Sequence, residues 1–205
     1  MPKIVDHEKQ KQLLAEATWR IICRHGIQQA SVRHIAKEAN MSVGSLRHYF
    51  ASQSDLFAYS MQLVSERVEK RIQSISFNGP PLEDMKKVLY QLLPIDEESR
   101  SEMEVWIAFT SKALSDPALK ALNNAVYEKM RFGIQSIVEA LISHNLAQPD
   151  LDLELETARL HALIDGLAMH AVISPATMSS ERMQLLVSQH LDALCSQTGQ
   201  KKNSS

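Results

Sequence analysis

Between Ser31 and Tyr49 the chain sets out residues whose types and spacing suit contact with a nucleic-acid duplex. Ser31 is placed to cap a helix whose apolar face is Val32, Ile35, Ala36 and Ala39. Asn40 follows, and asparagine tolerates the left-handed backbone at which helices end. The four residues from Ala39 to Ser42 turn the chain, and Ser42 is placed to cap a second helix over 43–49. Only Val43, Leu46 and Phe50 are apolar there at helical spacing; the other face presents Gly44, Ser45, Arg47, His48 and Tyr49. Small residues at the tip let a helix approach base edges, and donors behind them reach phosphates. Ser31 also puts a helix N-terminus, with its free amides, where it can meet a phosphate. The pattern reads as a helix-turn-helix.

The elements around this motif are all helical by pattern. Six glycines in 205 residues and the lack of alternating β-branched runs argue against sheets. About nine helices are expected. The first spans about 6–25, with Leu14, Ala17, Thr18, Ile21 and Ile22 inward and Gly26 as its stop. After the motif pair, Ser52 and Asp55 form a capping box for a helix reaching about 76, long enough to link a reading head to a core. Asn78-Gly79-Pro80-Pro81 is the clearest break. Further helices are expected to about 93, over about 97–114, and from Pro117 to about 145. Two more run from about 152 to before Ser174 and from after Ser179 to about 197. The expected domains are 1–55 for nucleic-acid reading, 56–197 for a helical core, and a disordered tail over 198–205.

The Ile35-Ala36 pair and the run Ser42-Val43-Gly44-Ser45-Leu46-Arg47-His48-Tyr49-Phe50 resemble the DNA-binding domain of tetracycline-repressor (TetR) family regulators. The resemblance is most specific over about 14–57. It extends less specifically to 106–119 (WIAFTSKALSDPAL) and 163–194, which look like the betaine-regulator-like branch. It implies a dimeric, all-helical transcription factor, most often a repressor, in which 56–197 is a divergent core for effector binding and dimerisation. It also implies base contacts from Val43, Gly44 and Ser45, phosphate contacts from His48 and Tyr49, and a base or phosphate contact from Arg33. A valine at 43 suits a thymine methyl. Two positions depart from the family pattern: Arg47 stands where tyrosine is more common, and Gln53 where lysine is usual. The first keeps a phosphate donor and adds charge; the second puts one backbone contact in doubt.

Charge is distributed to match. Residues 1–60 hold eight Lys/Arg against five Asp/Glu, a formal +3, and four of the eight histidines. Residues 61–205 hold 14 against 19, a formal −5. That asymmetry favours a nucleic-acid-facing N-terminal part. Cys23 and Cys195 lie far apart with no CxxC or Cys/His clustering, as expected for free thiols in a reducing compartment. No apolar run approaches the roughly 20 residues of a membrane span, and MPKIVDHEKQKQ lacks a signal-peptide core, so the expected location is the cytoplasm. Enzyme motifs (GxSxG, HExxH, a glycine-rich phosphate loop) are lacking. No cofactor is expected, and no metal: Asp165 and His170 are five residues apart, off a shared helical face.

Two further constellations concern assembly and ligand. Met183, Leu186, Val187, His190, Leu191 and Leu194 repeat at helical spacing; Leu155, Ala158, Ala162, Leu163, Gly166, Leu167 and His170 make a second stripe with small residues. These stripes either cover the subunit's own core or pair with their symmetry mates in a four-helix bundle; the family resemblance favours a homodimer. Met61, Tyr90, Met103, Trp106, Phe109 and Met130 are large soft side chains suited to a core or to an adaptable pocket for a small, partly apolar effector. His161 and Asp165, one helical turn apart, either bond each other or meet a ligand, a cationic group being one candidate. The expected function is a dimeric repressor released from a palindromic operator by a small molecule. The alternative is a ligand-independent helix-turn-helix interaction or architectural protein.

Overall fold

The computed structural model describes residues 7–196. They form nine α-helices: α1 (His7–His25), α2 (Val32–Glu38), α3 (Val43–Tyr49), α4 (Gln53–Gln73), α5 (Pro81–Tyr90), α6 (Glu97–Ala113), α7 (Pro117–Ser143), α8 (Leu153–Ile173) and α9 (Ser180–Leu194). A single 3-10 turn, Ile27–Gln29, follows Gly26, whose φ of 79° is a conformation that favours glycine. An isolated bridge between Ala147 and Cys195 is the only β pairing among the described residues. Asp6, Gln197 and the tail 198–205 lie outside the described residues.

Local chemistry explains the boundaries. Ser31, Ser42, Asp152 and Ser179 each accept a backbone N–H from three residues on, at 3.3, 3.0, 3.0 and 3.3 Å. Ser52 and Asp55 exchange both bonds of a capping box, at 2.9 and 3.0 Å. Asn40 and Asn145 take left-handed φ values of 54° and 55°, ending α2 and α7. Pro81 opens α5 at a position where its missing N–H costs nothing.

The chain divides into two compact units, and they depart from a division at residue 55. The first comprises the residues up to Arg67 together with Ser101–Asn124; the second comprises Val68–Arg100 and Ala125 onward. Packing explains the difference. Phe57 of α4 and Phe109 of α6 are both fully buried, with ring centroids 5.4 Å apart. Val105, Ala113 and Leu119 complete the same core as Leu14, Ile22, Ile35, Leu46 and Phe50. Each buried aromatic ring removes a large apolar area from water, which keeps the segment 101–124 with the N-terminal helices. The second unit has its own core of Leu89, Ile134, Val138, Leu141, Leu160, Ile164, Val187 and Leu191.

Candidate functional site

In the first unit, α2 and α3 are held by apolar residues of opposite sign in pattern to their exposed faces. Ile35, Ala36 and Leu46 are buried, whereas Arg33, Gly44, Arg47 and His48 are exposed and Ser31, Val43, Ser45 and Tyr49 are half-buried. All eight residues expected at a nucleic-acid interface therefore keep accessible surface. Gly44 needs no special backbone, and a Cβ there would meet only the Ser42 hydroxyl, at 3.8 Å. The fold itself leaves room for a side chain at 44.

The pair is braced from outside. Arg20 of α1 donates to Glu38 of α2 at 2.7 Å, and this bond holds the Glu38 carboxyl below its ordinary range. Trp19 donates to the Ser60 carbonyl at 3.3 Å, with the Arg67 guanidinium 4.5 Å from its ring. Gln53, the departure from the family lysine, turns its amide to the Ala30 carbonyl at 2.6 Å. It thereby ties the start of α4 to the start of α2. A brace is a different use of that position from a backbone contact, and only the fold reveals it.

The eight residues expected around an effector fall into both units. Met61, Met103, Trp106 and Phe109 belong to the first. Met61 and Phe109 are fully buried core residues, and Trp106 packs half-buried against the same core. Tyr90, Met130, His161 and Asp165 belong to the second, where Tyr90 donates to the Gln184 carbonyl at 3.4 Å and Met130 packs on the core. Long amphipathic helices recur in both units, so helical spacing alone does not separate residues of the two cores.

Within the second unit, α7 and α8 border a half-open cleft of about 250 Å³. Tyr127 stacks on the buried His161 ring at 4.9 Å, and His161 Nε2 lies 3.6 Å from Asp165 Oδ2. Burial raises the Asp165 carboxyl above its ordinary value, and His161 partly opposes that. Arg131, Glu154 and Thr157 complete the polar lining. These three were not among the expected residues, although Glu154, Thr157, His161 and Asp165 recur along one face of α8.

The dimer stripes separate into two faces. Leu167, Met183, Val187 and Leu191 are buried in the subunit's own core, which removes them from any surface a mate could reach. The rest of α8 is exposed at Leu155, Ala158, Ala162, Met169 and Ile173, of which Ala158 and Ala162 also line the cleft, with Leu163 and Gly166 half-buried. On α9, Leu185 is 56% exposed, and Leu186, His190 and Leu194 are half-buried. Nothing lies within 4 Å of a Cβ built at Gly166.

His190 Nε2 is buried without a hydrogen-bond partner among the described residues. Burial lowers this imidazole below its ordinary 6.5; the Glu156 carboxylate opposes the shift and Arg159 adds to it. A lowered value means that the folded protein favours the neutral ring. Its contribution to stability is complete above the ordinary value and is lost as pH falls below it. The thermal midpoint should therefore drop more on acidification from about pH 7 to about pH 5.5 than that of His190→Gln. Equal drops in the two proteins would remove His190 as a source of acid sensitivity.

The surroundings of both thiols disfavour the thiolate. Cys23 keeps an open outer surface, but its sulfur lies 3.7 Å from the Ser101 carbonyl; burial and the Glu104 carboxylate push it up to about 11. Burial likewise raises Cys195. Neither favours a reactive thiolate. No described helix is long and apolar enough to cross a membrane.

Residues 14–59 match the family of bacterial regulatory proteins, tetR family, and residues 81–196 match the C-terminal part of BetI-type transcriptional repressors. The chain is 40% identical over 196 residues to the HTH-type transcriptional regulator PksA of Bacillus subtilis (strain 168), covering 95% of this chain and 94% of that protein. A transcriptional regulator from Rhodococcus sp. Rha1 superposes with a TM-score of 0.79 at 28% identity, over 90% of this chain and 95% of that one. A putative regulator from Saccharomonospora viridis, solved in complex with choline, gives 0.79 at 21% identity, over 92% and 98%. These relatives are transcriptional regulators rather than enzymes. With the amino-terminal and carboxy-terminal parts each matched over the helices that build them, this chain belongs to the TetR family of transcriptional regulators and carries a BetI-type C-terminal part.

Proposed function

We propose that the chain is a homodimeric repressor that reads a roughly palindromic operator through residues 31–49 and leaves it when a small molecule binds. The observation that carries this reading is the solvent face of α3, where Gly44 lies bare although the fold has room for a side chain. Glycine is a poor helix former, so its presence at the tip suits close approach to another surface. In this reading Val43, Gly44 and Ser45 meet base edges, while Ser31, Arg33, Arg47, His48 and Tyr49 position the helix on phosphates. Dimerisation through the exposed face of α8 and α9 sets two heads about 34 Å apart, one turn of DNA. Gly166, with open space around it, suits close helix approach there.

The effector lowers operator affinity by preferring a head separation that the operator does not accept. The cleft of Tyr127, His161 and Asp165 supports a ligand with a cationic group, which a carboxylate and an aromatic face both attract. The choline bound by the S. viridis protein is of that chemical class. Sequencing the genomic fragments retained by the purified protein tests the reading. A shared motif with two half-sites about one turn apart supports it, and fragments with no common motif would refute it.

Arg47 provides a sharper check. Its exposure beside His48 gives it a phosphate role in this reading. Arg47→Ala should weaken binding to every duplex alike and make the salt slope shallower by about one unit. Changes at Val43 or Ser45 should instead alter sequence preference. An unchanged slope in Arg47→Ala would take the phosphate role from this residue.

A further inference from the structure

The first described residue of α1 shares a ring cluster with the last two residues of α3. The His7 imidazole lies 4.9 Å from the Tyr49 ring and 6.2 Å from the His48 ring, and His48 and Tyr49 are 5.5 Å apart. His7 and His48 are exposed, and Tyr49 is half-buried. Tyr49 packs against the core, but the two exposed imidazoles gain little from removing apolar area from water, so core packing gives no account of them. What it does concentrate is hydrogen-bonding capacity. Two imidazoles and a phenol sit together, and neither imidazole is engaged in a hydrogen bond with another described residue.

The nearby carboxylate does not stand unopposed. Glu8, the acidic neighbour, is engaged by Lys11 at 3.1 Å and by the Tyr59 hydroxyl at 3.3 Å. Lys11 stands 5.6 Å from the Tyr59 ring on the same side of α1. The Glu8 carboxylate is thus neutralised locally by Lys11, one turn along from His7.

We infer that His7 is a further DNA-backbone contact: α1 contributes an imidazole donor to the phosphate-binding patch formed by His48 and Tyr49. This rests on the reading of α3 as the DNA-facing helix. The interface then extends beyond the helix-turn-helix to the beginning of the first helix, a part of the chain that the motif does not include. An imidazole N–H donates to a phosphate oxygen, so the contact is independent of sequence.

Fluorescence anisotropy with a labelled mixed-sequence duplex, titrated with the full-length protein over a range of salt concentrations, tests the inference. His7→Ala should weaken binding about three- to ten-fold, the equivalent of one hydrogen bond. His7→Phe keeps a ring against Tyr49 but has no N–H, and should show the same loss. His7→Lys should recover affinity and steepen the salt slope by about one unit. Because His7 is exposed at a helix start, all three should melt as the wild type does. Wild-type affinity in His7→Phe would leave only ring packing and overturn the inference, as would wild-type affinity and slope in all three. If Arg47→Ala still changes the slope in that case, the DNA-reading role of α3 stands and His7 alone is excluded. A wild-type protein that binds no duplex overturns both.

Discussion

Phe109→Ala is expected to lower stability by about 3–5 kcal/mol, the cost of emptying a fully buried aromatic site. Its ring lies 5.4 Å from that of Phe57, also fully buried, and together they join α6 to the core that holds α2 and α3. A loss of that size is a large share of the stability of an ordinary domain, so DNA binding should fail at temperatures at which the wild type binds. Denaturant or thermal unfolding measures the loss, with DNA binding followed in the same samples. Trp106→Ala is the natural comparison. Trp106 is only half-buried against the same core, so its truncation should cost clearly less. Comparable small losses in both variants would show that 101–124 is dispensable to the core of the first unit. A folded Trp106→Ala protein that binds DNA but no longer responds to ligand would instead assign that ring to the effector.

Gly166→Glu should convert the protein to a folded monomer. A Cβ at this position meets nothing within 4 Å, so the subunit itself can accept a larger side chain. A helix packed closely from another subunit cannot, and a carboxylate left desolvated and unpaired there costs several kcal/mol. Operator affinity should fall with the dimer, because two linked heads bind far more tightly than one. Gly166→Ala is the control: it should strengthen α8 by up to about 1 kcal/mol and show whether close approach, rather than charge, decides. Sedimentation and thermal melting separate association from folding. A Gly166→Glu protein that sediments as an unchanged dimer would move the interface to another face.

Much of the fold is legible in the residues themselves. The caps at Ser31, Ser42, Ser52, Asp152 and Ser179, and the left-handed turn at Asn40, are decided by each residue's own backbone and side-chain chemistry. Such signals act within a few residues, so reading along the chain is sufficient to find them. The helix-turn-helix was equally legible, since its buried Ile35, Ala36 and Leu46 and its exposed Arg33, Arg47 and His48 follow from helical periodicity.

What periodicity cannot convey is which partner a face meets. Leu167, Met183, Val187 and Leu191 share a stripe pattern with Leu163, Leu186, His190 and Leu194, yet the first four are buried within the subunit's own core, whereas Leu163, Leu186 and Leu194 pack at its edge and, like His190, keep accessible surface. Both sets satisfy the same spacing because a helix about 100° wide in apolar side chains can face two neighbours. The segment 101–124 joins the N-terminal helices through Phe109, and Gln53 is turned to Ala30, for the same reason: each depends on atoms distant in the chain. By itself the sequence determined where helices begin and end and which of their sides shun water. Only the tertiary structure decided which apolar sides close on each other, because burial is a property of pairs of surfaces and spacing describes one surface at a time.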